Sequence, residues 1–126
     1  MKNILILDSE EIFLELFSNI LKENLQIPFN IQSTMDGDEA LLILLNSKTP
    51  FDLFVTDIMH TGNSCFELIE IIRKKFPVTK IVIASAAGGY YTEEQLSLAD
   101  VYLPKPFNIS STFLKIIKCL LNLPTH

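Results

Sequence analysis

At 126 residues the chain has the length of one domain, enough for a single hydrophobic core. Apolar residues make up 48% and charged ones 20%, which excludes a disordered chain, and a net charge of −5 without any basic run argues against direct binding to nucleic acid or an anionic membrane. Two cysteines, Cys65 and Cys119, make no disulfide framework and no metal-binding spacing, so a reducing, cytoplasmic compartment is expected; no apolar run suits a signal peptide or a bilayer span.

The first apolar run, Ile4 to Leu7, is halted by Asp8. It is continuous rather than alternating, as expected of a parallel strand covered on both faces. A helix follows in which Ile12, Leu16 and Ile20 run beside Phe13, Phe17 and Leu21, predicting a wide apolar stripe. A weaker run from Phe29 to Ser33 predicts the second strand. The second helix covers Gly37 to Asn46, with Asp36 and Glu39 suited to its start. Leu53 to Val55 is the third strand. Ser64 and Glu67 then form a capping-box pattern before a helix carrying Phe66, Ile69, Ile72 and Phe76. After a fourth strand at Ile81 to Ala84, Gly88-Gly89 predicts a mobile loop, and Thr92 with Gln95 opens a short helix reaching Leu98. Val101 to Leu103 is the fifth strand. Phe113, Ile116, Ile117, Leu120 and Leu121 mark the last helix, which Leu123-Pro124 should end.

Strand and helix thus alternate five times, which predicts a three-layer α/β sandwich, a (βα)5 doubly wound parallel sheet with right-handed connections. Ligands in such folds collect at the carboxyl ends of the strands. The residues there are Asp8, Ser9 and Glu10, then Asp57, Ser85 and Lys105. Two carboxylates in one crevice repel unless something positive joins them. Lys105 supplies one charge, and a hard divalent cation such as Mg²⁺ would complete the balance. A carboxylate nucleophile, a cation, a lysine and a hydroxyl are the parts needed to take up a phosphoryl group.

Five ordered motifs carry a closer identification: Ile4-Leu5-Ile6-Leu7-Asp8-Ser9-Glu10, Asp36-Gly37-Asp38-Glu39-Ala40-Leu41, Asp52-Leu53-Phe54-Val55-Thr56-Asp57-Ile58-Met59, Ile81-Val82-Ile83-Ala84-Ser85-Ala86, and Ala99-Asp100-Val101-Tyr102-Leu103-Pro104-Lys105-Pro106-Phe107. In their order and spacing they resemble response-regulator receiver domains over the whole chain, residues 1–126. The resemblance implies sheet order 2-1-3-4-5, the flavodoxin-like arrangement. It makes Asp57 the phosphoacceptor, places Mg²⁺ on Asp8, Asp57 and the backbone carbonyl of Met59, and gives Lys105 a phosphoryl oxygen to hold. Ser85 becomes the switch hydroxyl and Tyr102 the aromatic that turns inward. The Lys105–Pro106 bond is expected to be cis. The implied partners are a histidine kinase or histidine phosphotransfer protein and, downstream, another protein or an output domain outside this sequence. A homodimer is compatible. The resemblance describes a phosphoacceptor with Mg²⁺-dependent self-phosphorylation and autodephosphorylation, not a conventional enzyme.

The chain departs from the family pattern in three places. Where a second acid usually follows the first strand, it has Ser9, leaving Ser9 or Glu10 for that metal position. A charge pair at contact is worth about 4 kcal/mol at an effective dielectric of 20, so the expected metal affinity falls. The usual Met-Pro-Gly-x-Asp-Gly reads His60-Thr61-Gly62-Asn63-Ser64-Cys65, with His60 expected in an exposed loop. The span from Ser85 to Lys105 is short, predicting a reduced fourth helix. Ser9 sustains an alternative function, a phosphorylation-independent pseudo-receiver that acts as a protein-interaction module. A flavin enzyme of the same strand order is disfavoured, because Asp8-Ser9-Glu10-Glu11 would repel a flavin phosphate.

Overall fold

The computed structural model describes residues 1–86, 88–105 and 109–124. Five parallel strands form one sheet in the order β2-β1-β3-β4-β5, with β1 at Lys2–Leu7, β2 at Phe29–Thr34, β3 at Leu53–Thr56, β4 at Lys80–Ser85 and β5 at Val101–Pro104. The helices between and after them are α1 (Glu11–Asn24), α2 (Gly37–Asn46), α3 (Cys65–Lys75), α4 (Glu93–Leu96) and α5 (Leu114–Leu120). Every predicted strand and helix is present.

Strand side chains alternate between faces, so each continuous apolar run feeds two cores. Ile4, Ile6, Leu53, Val55, Val82 and Ala84 pack under α1 and α5, whereas Leu5, Leu7, Phe54, Ile81 and Ile83 pack under α2 and α3. On the first face the rings of Phe17 and Phe113 stack with centroids 4.6 Å apart, tying α1 to the start of the last helical segment. Among the described residues no helix is long and apolar enough to cross a membrane.

Three local expectations need correction. The buried row of α1 is Leu14, Phe17 and Leu21, while Ile12 and Leu16 are exposed. The stripe read from sequence was two rows wide; Phe17 and Leu21 of it are buried, and Leu14, from neither row, joins them. Both cysteines read from the sequence as small helix-packing residues; Cys65 is buried, but Cys119 is exposed. The last helix stops at Leu120, capped by Leu121, rather than at Leu123-Pro124. Asn122 has φ 58°, with Asn122 N donating to Cys119 O at 3.1 Å and Leu123 N to Lys118 O at 2.7 Å. That pair of bonds is a Schellman cap, which satisfies carbonyls the helix end leaves open.

Other helix starts follow their sequence signals. Thr92 and Gln95 form a complete capping box on an α4 reduced to a single turn, preceded by a 3₁₀ turn at Gly88–Tyr90. Ser64 Oγ accepts from Glu67 N at 3.2 Å and caps α3. Ser64→Ala is expected to lower stability by about 1 kcal/mol, read as a shift in the urea midpoint with an unchanged slope.

Candidate functional site

Each strand's polar successor is locked by one more rung of the sheet ladder. Asp8 N donates to Thr34 O at 3.1 Å, Asp57 N to Leu7 O at 3.0 Å and Lys105 N to Ser85 O at 3.0 Å. The backbones of Asp8, Asp57 and Lys105 are therefore held in line along the carboxyl edge of β1, β3 and β5. β1 lies between β2 and β3, so the chain leaves β1 toward one edge of the sheet and β3 toward the other. The crevice opens where those paths diverge, between Asp8 and Asp57.

Both carboxylates are buried, Asp8 1% and Asp57 4% exposed. Lys105 Nζ donates to Asp8 Oδ2 at 2.8 Å, and its ammonium sits 3.7 Å from the centroid of the Phe13 ring. The ring face and the carboxylate together hold a lysine side chain that is only 7% exposed. Asp8 Oδ1 accepts from Glu10 N at 2.9 Å. Burial raises the Asp8 carboxyl above its ordinary pKa; the bonds from Lys105 and Glu10 N pull it back, and the charge of Asp57 pushes it up again.

Asp57 is enclosed by hydrogen bonds on both oxygens. Oδ2 accepts from Ser9 N and from Ser9 Oγ, each at 2.9 Å. Oδ1 lies 2.9 Å from His60 Nδ1, and His60 Nε2 lies 2.8 Å from Asn63 O. The imidazole is fully buried, which corrects the expectation of an exposed His60. Burial alone would lower the His60 pKa. The Asp57 and Asn63 bonds, with the charges of Asp57 and Asp36, outweigh it and leave the ring above its ordinary value. The Cys65 thiol is pushed up to about 12 by burial and by the charge of Asp57, so it stays neutral and unreactive.

Ser9, Glu10, Asp57, Met59, Ser85, Ala86, Tyr90 and Lys105 line a cleft of about 220 Å³. Ser85 is buried, and Tyr102, already half-buried, donates from its hydroxyl to Ser85 O at 3.3 Å. Glu10 is exposed on the rim and the Met59 side chain is 62% exposed. Pro106, and with it the expected cis bond, lies outside the described residues.

The loop after β3 lacks the proline of the family pattern and is clamped to the start of α2 instead. Gly37 N donates to Thr61 O at 2.7 Å, and Thr61 Oγ1 to Asp36 Oδ1 at 2.9 Å. Asn63 N and Nδ2 both donate to Asp38 Oδ1, at 3.0 and 2.7 Å. Gly62, at φ 82°, occupies the left-handed region that glycine tolerates.

Asp8, Ser9, Asp57, Ser85 and Lys105 thus meet at one edge, but Lys105 pairs with Asp8 rather than reaching Asp57. Sequence reasoning missed His60 and Phe13 as members of the site. The only signal for His60 was its spacing of three from Asp57, which brings side chains together only if the loop turns back.

The acceptors that meet at this edge, the Asp8 and Asp57 carboxylates and the Ser9 hydroxyl, are all oxygens. That set suits Mg²⁺ in kind. It is short of charge, since among the described residues no three His, Cys, Asp or Glu side chains converge as a metal cluster.

A family model described as the response regulator receiver domain matches residues 4–117. The transcriptional regulatory protein CpxR of Escherichia coli is 34% identical over 112 residues, which are 86% of this chain and 44% of that protein. A putative response regulator, NtrX-like, of Rickettsia conorii is 31% identical over 110 residues, 84% of this chain and 22% of that protein. The chain spans less than half the length of these curated relatives. Among solved structures, the response regulator protein TrrA of Thermotoga maritima, in complex with Mg²⁺-BeF, matches with TM-score 0.79 and 32% identity, covering 95% of this chain and 99% of that one. A CheY-like receiver domain protein of Methanospirillum hungatei matches with TM-score 0.76 and 26% identity, covering 95% and 94%.

Proposed function

The chain belongs to the response regulator receiver domains of two-component systems, and from that premise we propose that it takes a phosphoryl group onto Asp57 from a histidine kinase or histidine phosphotransfer protein. The observation that carries this reading is the buried Asp57 carboxylate at the end of β3, beside the Asp8–Lys105 pair and opening on a cleft that Ser85 shares.

In this reading Asp8, Asp57 and the Met59 carbonyl hold Mg²⁺, with Ser9 or Glu10 beside them. The ion supplies positive charge against the phosphoryl oxygens. Lys105 leaves Asp8 for a phosphoryl oxygen, and Ser85 donates its hydroxyl to another. Tyr102 follows Ser85, to whose carbonyl it is bonded, and changes the surface that a downstream protein or an output domain reads. Residues 1–126 form one receiver domain, a signalling module rather than a conventional enzyme. Its free cysteines fit a cytoplasmic location.

Incubation with a small-molecule phosphodonor and Mg²⁺ should add one phosphoryl group on intact-mass analysis, and Asp57→Asn should abolish it. Ser9→Asp is expected to tighten Mg²⁺ binding about tenfold or more at low salt, measured by titration calorimetry; an unchanged affinity would remove position 9 from the metal site. A pseudo-receiver is the second reading. It is favoured by Ser9 and by the hydrogen bonds already closing both oxygens of Asp57. No phosphoryl adduct, together with no response to beryllofluoride, would select it.

A further inference from the structure

We propose that His60 is a catalytic residue for loss of the phosphoryl group, stabilising the Asp57 carboxylate as it departs and so setting a short lifetime for the phosphorylated state. The inference rests on Asp57 being the phosphoacceptor.

The two oxygens of Asp57 are not equivalent. Oδ1 faces the buried imidazole, whereas Oδ2 faces Ser9, which is half-buried and lines the same cleft as Ser85 and Lys105. Oδ2 is thus the oxygen on the cleft side, and in this proposal it takes the phosphoryl group in place of its bonds to Ser9. When Oδ2 attacks the phosphorus, the donor's bond to phosphorus breaks, and Oδ1 becomes the carbonyl oxygen of the acyl phosphate.

His60 stays with Oδ1 through this change. The ring is held on both sides, with Nδ1 2.9 Å from Asp57 Oδ1, where it can donate, and Nε2 2.8 Å from Asn63 O. Asn63 is itself anchored by two bonds to Asp38, which keeps the ring from swinging away. In hydrolysis a water oxygen bonds to phosphorus and the P–Oδ2 bond breaks. Its electron pair returns to the carboxylate, and both protons of the water leave on inorganic phosphate as dihydrogen phosphate. The charge spreads onto Oδ1, where a donor is already in place. A hydrogen bond to a carboxylate is roughly twice as strong as one to a neutral carbonyl. His60 therefore stabilises the departing carboxylate more than the acyl phosphate, speeding hydrolysis and lowering the standing level of phosphorylation.

The test follows decay of the phosphorylated full chain by intact mass after the donor is removed, in wild type, His60→Met and His60→Gln. Beryllofluoride binding, which involves no hydrolysis, reports whether the site is intact in each. His60→Met should bind beryllofluoride and keep its phosphoryl group on the order of ten times longer than wild type. His60→Gln, which retains an amide donor, should fall between. Unchanged or faster decay in His60→Met with intact beryllofluoride binding overturns the proposal and leaves Asp57 as phosphoacceptor. If His60→Met does not bind beryllofluoride, His60→Gln decides: slower decay than wild type supports the role, and equal decay removes it. A wild-type chain that takes up no phosphoryl group at all overturns the assignment of Asp57, and this proposal with it.

Discussion

Lys105→Met should cost about 3–5 kcal/mol of folding stability at neutral pH, the range seen when one partner of a buried ion pair is removed. Lys105 Nζ is 2.8 Å from Asp8 Oδ2, and both side chains are buried. Without the lysine, Asp8 and Asp57 share a crevice with no ammonium between them. The loss should depend on pH, with a definite sign. The Asp8 carboxyl is already raised by burial, and the bond from Lys105 is the largest influence holding it down. Removing that bond raises it further, so the variant binds a proton at Asp8 that the wild type does not. As the pH falls that proton neutralises the orphaned carboxylate, and the deficit between variant and wild type shrinks; as the pH rises toward neutrality it grows. Urea unfolding of both proteins from mildly acidic to mildly alkaline buffer measures this. A deficit independent of pH would mean that Lys105 contributes packing against Phe13 rather than charge. If the crevice holds Mg²⁺ as proposed, the ion should restore part of the stability of the variant by binding the native state and supplying the missing charge.

Gly37→Val should cost about 3 kcal/mol or more and disturb the site without touching it. A Cβ on Gly37 would lie 2.0 Å from Asn63 O and 2.9 Å from Asn63 N and C, all backbone atoms. No rotamer change relieves such a contact, so the loop must move, beyond the usual 1–3 kcal/mol of overpacking. Its displacement breaks the Gly37–Thr61 and Asn63–Asp38 bonds and withdraws the carbonyl that orients His60. Gly37→Ala should show most of the loss, because the first carbon already collides. At Gly89, where an added Cβ meets nothing within 4 Å, alanine should change stability by less than about 0.5 kcal/mol. Chemical unfolding compares the three variants. If Gly37→Ala is as stable as wild type, the loop is not clamped to α2 as described.

The clamp explains why the site was only partly legible in the sequence. The missing proline was visible between His60 and Gly62. The replacement was not, because it joins residues 36–38 to residues 61–63, about 25 positions apart, through pairs of ordinary polar side chains. Asp36 read, with Glu39, as suited to the start of α2, and Asp38 carried no reading of its own. Asp36 does cap that helix through Glu39 N, yet its other carboxylate oxygen holds Thr61.

The sequence by itself determined the order of strands and helices, because period-two and period-3.6 apolar patterns and their caps are local properties of the chain. It also placed Asp8, Asp57 and Lys105 at the edge of the sheet, since each comes within two residues of the end of an apolar run. Only the tertiary structure decided which of them touch. Lys105 turns to Asp8 because Phe13, on the neighbouring helix, offers a ring face there, and Asp57 is claimed by Ser9 and His60. Such choices depend on the docking angle of α1 and the path of one loop, which follow from packing between segments distant in the chain rather than from any pattern within one.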